Sequence, residues 1–193
     1  MTEINTEELV KNLISTFLKA GEISINLRNK GLTKLVKSDN TPVSNGDLEV
    51  NSLITKKLQN LTPSIPVVSE ETSDNKSIKN LENFWLVDPI DGTYDYINDL
   101  DEFTINAGLI LNRKPVAGLI YAPAKKRMFY SYGDGNSYEL TGGKEIKLNN
   151  AKNFDKENIK FVSYSNRIKP EVQKIFDKLK VKKHTKMKSS LKF

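Results

Sequence analysis

The sequence predicts an α+β protein, with paired helices first and an antiparallel sheet after them. Apolar residues recur at spacings of three and four up to about Leu61, which is the period of amphipathic helices. Short strand-like runs joined by tight turns then fill the stretch from Phe103 to Leu148, and beyond Glu157 the pattern returns to strand, helix, strand. With 193 residues, 37% hydrophobic and 28% charged, the chain is long enough to bury a core without disulfides.

The first helix is expected over residues 5–30, where Leu9, Leu13, Phe17, Ala20, Ile23 and Leu27 form one apolar face. Asn5 or Thr6 can cap it, and Glu7 and Glu8 suit the positive end of its dipole. An extended piece around Thr33–Val36 leads to Ser-Asp-Asn-Thr-Pro, a turn signal. A second helix begins with Ser44 as its cap; Leu48, Ile54 and Leu58 are expected on its buried side, and Asp47 falls at the third helical position. IPVVSEE reads as a short strand, and NFWLVDPID as a buried strand that Pro89 and Gly92 end. Next come TINAGLILN, VAGLIYAP, RMFYSY, SYEL and KEIKL, separated by NRKP, GDG and GG, which is an antiparallel meander. A polar stretch over residues 149–157 separates two expected halves: 1–150, an α+β unit that holds the metal-binding residues, and 151–193, the opening of an α/β unit.

Composition excludes several chemistries. With no cysteine there is no thiolate metal site, iron-sulfur cluster or cysteine nucleophile, and a single histidine, His184, excludes a His-rich zinc centre. No G-x-S-x-G elbow is present for a serine hydrolase. No apolar run approaches the ~18 residues of a membrane span, and the acidic start MTEINTEE is unlike a signal peptide, so a cytoplasmic protein without membrane insertion is expected. The net charge of +6 is concentrated at one end: residues 169–193 hold nine lysines against Glu171 and Asp177, leaving the remainder near neutrality. Without interleaved aromatic residues that lysine tail does not read as a nucleic-acid surface. Residues 70–102 are the opposite case, ten carboxylates against Lys76 and Lys79, and form a candidate cation site.

Asp88-Pro89-Ile90-Asp91-Gly92-Thr93 follows directly on an apolar strand. A proline-set turn at a strand end puts the carboxylates of Asp88 and Asp91 on one side, and the Ile90 carbonyl can point the same way. Hard oxygen donors without sulfur or imidazole favour Mg²⁺ or Mn²⁺. Gly92 and Thr93 begin the next helical turn and offer backbone N–H groups to an anion. The haloacid-dehalogenase pattern needs two aspartates two positions apart, whereas Asp88 and Asp91 are three apart.

WLVDPIDGT, preceded by PVVSEE and by D-N-T-P-V-S-x-x-D, resembles the inositol monophosphatase superfamily of metal-dependent, lithium-sensitive phosphatases. SDNTPVSNGD, EFTINAGLI, KPVAGLIYAP and SSLKF are most similar to its CysQ-type 3'(2'),5'-bisphosphate nucleotidases. The resemblance implies the layered αβαβα sugar-phosphatase fold and two or three Mg²⁺ ions. It assigns Glu70, Asp88 and the Ile90 carbonyl to the first ion, Asp88 and Asp91 to a second, and Glu70 with waters to a third. Thr93, paired with Asp47, would orient the attacking water, and Asp91 and the N–H groups of Gly92 and Thr93 would hold the phosphate. The implied reaction is hydrolysis of adenosine 3',5'-bisphosphate to AMP and phosphate, chemistry tied to sulfate assimilation, with a small phosphorylated substrate as the partner. Inositol monophosphatase or fructose bisphosphatase activity is the alternative within the superfamily; an inactive fragment serving as a metal-binding or dimerising module is the alternative outside it.

Two departures modify these expectations. The second signature, W-D-x-x-A/G, is absent, because the one tryptophan, Trp85, lies in the first motif. The expectation is therefore a C-terminally truncated chain with an incomplete α/β layer, an incomplete second metal site, slow turnover and a possible homodimer. The family's S-R-S-H stretch appears here as Ser163, Tyr164, Ser165, Asn166 and Arg167, without its histidine.

Overall fold

The computed structural model describes residues 4–37, 41–72, 81–148 and 157–192. Helix α1 (Thr6–Lys30) starts where Asn5 Oδ1 accepts the Glu8 N–H at 3.1 Å. Its buried face comprises Leu9, Val10, Leu13, Thr16, Phe17, Ala20, Gly21 and Ser24. Ile23 and Leu27, expected on that face, are only half-buried. The strict spacing of three and four drifts around a helix of 3.6 residues per turn, so the small residues Gly21 and Ser24 face inward instead.

Strands β1 (Lys34–Val36) and β2 (Pro42–Ser44) pair antiparallel, and the first three residues of the expected turn, 38–40, lie outside the described residues. Helix α2 (Asn45–Leu61) begins at a reciprocal capping box between Ser44 and Asp47. Its buried face is set by Asp47, Val50, Asn51, Ile54 and Leu58. Leu48, expected inside, is 44% exposed because it sits about 100° around the helix from Asp47.

The main sheet has seven strands in the order β3 (Val67–Ser69), β4 (Phe84–Asp91), β5 (Thr104–Leu111), β6 (Lys114–Ala122), β7 (Arg127–Ser131), β8 (Ser137–Thr141) and β9 (Lys144–Lys147). Every neighbouring pair is antiparallel except the β3–β4 edge, which is parallel. Strand β4 continues through Pro89 to Asp91, with a register shift between Asp88 and Asp91 opposite Asn106 and Thr104. Proline therefore bends the strand without ending it, as expected for a residue confined to bulges and edges.

One face of the sheet carries the core. Trp85, Val87, Ile105, Leu109, Leu119 and Met128 alternate inward and pack against Leu13 and Phe17 of α1 and Ile54 and Leu58 of α2. The indole N–H of Trp85 donates to Thr62 Oγ1 at 3.0 Å, so the buried ring keeps its polar group satisfied. Leu86 and Asp88 point to the opposite face.

A short helix α3 (Thr93–Ile97) bridges β4 to β5. Strand β10 (Lys160–Ser163), helix α4 (Pro170–Leu179) and strand β11 (Lys183–Lys186) form a parallel βαβ unit, in which the rings of Phe161, Phe176 and His184 cluster in tilted and edge-on contacts. The chain then returns to the sheet as a 3-10 turn, Ser189–Lys192, against β5 and β6. The expected boundary at residue 150 falls outside the described residues. Among the described residues no helix is long and apolar enough to cross a membrane.

The alternation along β4 sets the expected costs of truncation. Trp85→Ala should destabilise the fold by about 3–5 kcal/mol, and Leu86→Ala, one residue away on the exposed face, by about 0.5 kcal/mol or less. Urea denaturation followed by circular dichroism checks this; equal costs would contradict the assigned register.

Candidate functional site

The site forms where the end of β4, the start of α2, the end of β3 and the Ser189–Lys192 turn meet. Asp47 is buried at 1% exposure in the first turn of α2 because its carboxylate completes the capping box. Asp47 Oδ2 accepts from the Ser44 N–H at 2.8 Å and the Ser44 hydroxyl at 2.6 Å. Its other oxygen, Oδ1, faces the Thr93 hydroxyl at 3.2 Å, and that hydroxyl also lies 3.1 Å from the Ile90 carbonyl. Two elements distant in sequence thus meet through one threonine. Burial raises the Asp47 pKa, and the hydrogen bonds from Ser44 and Thr93 oppose that rise.

Asp88 is the most perturbed group. Burial first, then the charges of Glu70 and Asp91, push its carboxyl up to about 8, and Asp47 adds to the repulsion. Asp88 and Glu70 lie within hydrogen-bonding reach of one another. The Asp88 Oδ1 atom is buried with no hydrogen-bond partner. Asp91 differs: its Oδ2 accepts from the Ser190 hydroxyl at 2.8 Å and faces the Thr104 hydroxyl at 3.5 Å. Ser190 in turn accepts from Asn106 Nδ2 at 3.2 Å, which fixes the direction of that chain.

Glu70 has a half-exposed side chain, whereas the neighbouring Glu71 is nearly buried and pairs with Lys37 Nζ at 2.8 Å. Lys37 also stands 3.5 Å from Glu70. Burial works against the Lys37 charge, yet the two carboxylates outweigh it and its pKa rises. At the far side Lys188 pairs with buried Asp95 at 2.6 Å, and its backbone N–H donates to Glu102 at 3.2 Å. Gly92 caps α3 at φ 96, where a side chain would be strained and its Cβ would stand 3.0 Å from the Glu102 carbonyl.

The structure therefore brings Asp47, Glu70, Asp88, Ile90, Asp91, Gly92 and Thr93 to one region. Among the described residues, no three Asp, Glu, His or Cys side chains are arranged to hold an ion by themselves. A cation here would draw on carboxylates in pairs, on the Ile90 carbonyl and on water. The donor set fits such an ion: all its atoms are hard oxygens, and one of them, Asp88 Oδ1, is buried and unsatisfied. Sequence reasoning missed Lys37, Thr104, Asn106, Lys188 and Ser190. Lys37 stands next to the Ser-Asp-Asn-Thr-Pro signature and the two serines of SSLKF were legible, but nothing in one dimension linked Ser190 to Asp91, ninety-nine positions earlier.

A helix pair on a seven-stranded sheet, with oxygen donors converging at one strand end beside the parallel edge, defines a layered α+β protein with an acidic site. The chain belongs to the inositol monophosphatase family, whose profile matches residues 5–192. It is 33% identical, over 204 aligned positions, to the 3'(2'),5'-bisphosphate nucleotidase CysQ of Buchnera aphidicola subsp. Acyrthosiphon pisum, a match covering 100% of this chain and 76% of the relative. It is 34% identical over 147 positions to CysQ of Aggregatibacter actinomycetemcomitans, covering 75% of this chain but 55% of that relative. The chain thus spans between about half and three-quarters of the length of these relatives. The crystal structure of CysQ from Bacteroides thetaiotaomicron superposes with a TM-score of 0.74 at 27% identity, over 96% of this chain and 74% of that one. A staphylococcal inositol monophosphatase-1 shares the fold at a TM-score of 0.77 and 18% identity, over 97% of this chain and 69% of that one.

The pH dependence of the metal-free protein follows from Asp88. Its folded pKa of about 8 lies above the ordinary carboxyl value of 3.8, so its contribution to stability is full below that value and is lost as the pH rises through about 8. Asp47 and Glu71, both raised by burial, act in the same direction. Unfolding free energy measured without divalent ions should fall between about pH 5 and pH 8, and Asp88→Asn should flatten that slope. A slope unchanged in the variant would contradict the account of this carboxyl.

Proposed function

We propose that this chain carries a Mg²⁺-dependent phosphomonoesterase site that acts on a 3'(2'),5'-bisphosphate nucleotide, adenosine 3',5'-bisphosphate above all, releasing the 3'-phosphate and leaving AMP. The observation that carries the reading is Asp88: a half-buried carboxyl with one oxygen, Oδ1, buried and unpartnered, pressed upon by Glu70 and Asp91. Such an arrangement is costly for a structural residue and suited to a cation ligand. The similarity to CysQ nucleotidases over the length of the chain supports the substrate class.

In this reading Glu70, Asp88 and the Ile90 carbonyl would hold one Mg²⁺, Asp88 and Asp91 would hold a second, and Glu70 with water would hold a third. Bound Mg²⁺ supplies charge neutralisation to the phosphate and a nucleophile available near neutral pH. The chain's own residues position the reaction. The Thr93 hydroxyl donates toward Asp47 or the Ile90 carbonyl, which leaves its lone pairs to accept a hydrogen from the attacking water and aim it. Asp47 stabilises that orientation from a buried, capped position. Ser190 and Thr104 hold Asp91 through its Oδ2 and leave its other oxygen free of them. The amides of Gly92 and Thr93 receive the phosphate, close to a backbone turn that only glycine makes without strain. In this reading residues 1–150 carry all of these groups except Ser190, which residues 151–193, the opening of the second half, supply; the reading also places the protein in the cytoplasm.

The test is phosphate release from adenosine 3',5'-bisphosphate and inositol 1-phosphate side by side, with and without Mg²⁺ and lithium. The expected result is Mg²⁺-dependent, lithium-sensitive release that favours the nucleotide. Asp88→Asn should abolish it, and Thr93→Ala should lower kcat by about 10²-fold with a smaller effect on Mg²⁺ binding. Release without added divalent ion, or an Asp88→Asn variant that retains most activity, would overturn the mechanism. Preference for inositol 1-phosphate would overturn the substrate assignment alone.

A further inference from the structure

Tyr96 and Gly46 make a contact that the site chemistry does not require but that fixes its geometry. Tyr96 is fully buried in α3, three residues beyond Thr93, and its ring packs at a tilt against Phe103, with centroids 4.9 Å apart. Its hydroxyl donates to the Ser24 carbonyl of α1 at 2.7 Å, across 72 positions of sequence. Burial raises the pKa of this phenol far above its ordinary range, so it stays a neutral donor. The ring lies directly against Gly46, the residue before Asp47. A Cβ at Gly46 would stand 2.2 Å from the Tyr96 hydroxyl oxygen, 2.6 Å from Cε1 and 2.8 Å from Cζ. Each distance is below any that carbon atoms adopt in ordinary contact, and the ring cannot retreat while its hydroxyl is anchored on α1.

Gly46 and Asp47 share the first turn of α2, and Tyr96 and Thr93 share the single turn of α3. The separation of those two turns therefore sets the 3.2 Å distance between Thr93 Oγ1 and Asp47 Oδ1. We infer that Gly46 and Tyr96 form a matched notch and peg, anchored on Ser24, that positions Thr93 against Asp47. Neither residue touches substrate or cation; both act through the threonine. The inference rests on the proposed role of the Thr93–Asp47 pair in aiming water, and it adds a dependence of that role on the size of residue 46. Phenylalanine at position 96 would leave the notch partly empty, and any larger residue at position 46 would drive α2 and α3 apart.

A reciprocal substitution tests this. Gly46→Ala should lower kcat by about 10- to 100-fold while KM changes by less than about threefold and calorimetric Mg²⁺ affinity stays within about threefold, because a displacement near 1 Å is enough to misalign a reacting group. Adding Tyr96→Phe to Gly46→Ala removes the closest contact and frees the ring, and should recover about tenfold in kcat. A purely structural contact would not show that recovery together with unchanged Mg²⁺ binding. Should Gly46→Ala not fold, Tyr96→Leu, which withdraws the peg without a clash, should reproduce the loss of kcat. The NMR signals of the Thr93 amide and methyl groups provide a reading that does not depend on activity: they should move in Gly46→Ala and return toward the parent in the double variant. A parent without phosphate release refutes the functional reading and leaves the NMR result to decide the packing claim. Gly46→Ala with parental kcat and an unmoved Thr93 signal, or a folded double variant with no recovery in either measure, would overturn the inference.

Discussion

The repulsion gathered around Asp88 is the constraint on which the rest of the structure depends. Four carboxyl groups, of Asp47, Glu70, Asp88 and Asp91, are delivered to one place by four different structural devices: a helix cap, the end of a parallel edge strand, the body of β4, and the last residue of β4 beyond its register shift. None is there by chance of local sequence. The sheet holds the Asp88 backbone between Val87 and Pro89 in a register paired with Asn106 of β5, which fixes where the carboxyl starts from. The energy that holds it there comes from the opposite face, where Trp85 and Val87 pack beneath the helices. Core stability and site strain are thus two sides of one strand.

The protein answers the repulsion differently at each carboxylate. Hydroxyl and amide donors satisfy Asp47 and Asp91, and Lys37 neutralises Glu71. Asp88 alone has a buried oxygen left unpartnered in this group. That asymmetry distinguishes a carboxylate built into the scaffold from one kept for a ligand, and the all-oxygen surroundings point to a hard divalent cation. The Ser189–Lys192 turn and the residue before it contribute to both classes of interaction, since Ser190 steadies Asp91 and Lys188 compensates Asp95. The lysine-rich stretch after Lys169 is therefore not only a solvated tail.

Much of this was legible in one dimension because the relevant physics is local. Ser44 and Asp47 announce a capping box by their spacing, the meander announces itself by alternation and by GDG and GG turns, and Asp88 to Thr93 combine a strand end, a proline bend and a glycine. What was not legible depends on three-dimensional placement. Leu48 looked like a core residue until the buried stripe of α2 was fixed by Asp47, and Pro89 looked like a terminator although the strand runs two residues past it. The Tyr96–Gly46 contact joins residues fifty positions apart, and no periodicity marks either one. Only the family resemblance told Glu70 from its neighbour Glu71 in sequence; in the structure Glu71 is nearly buried and pairs closely with Lys37, while Glu70 stays half-exposed.

The central claim is that these carboxylates are held together for a cation. Calorimetric titration of the metal-free chain with Mg²⁺ tests it most directly, because it needs no substrate and no turnover. The account predicts saturable binding in the parent that is lost in Asp88→Asn and largely kept in Thr93→Ala. A parent that shows no saturable binding, or an Asp88→Asn variant that binds Mg²⁺ as well as the parent, would contradict it.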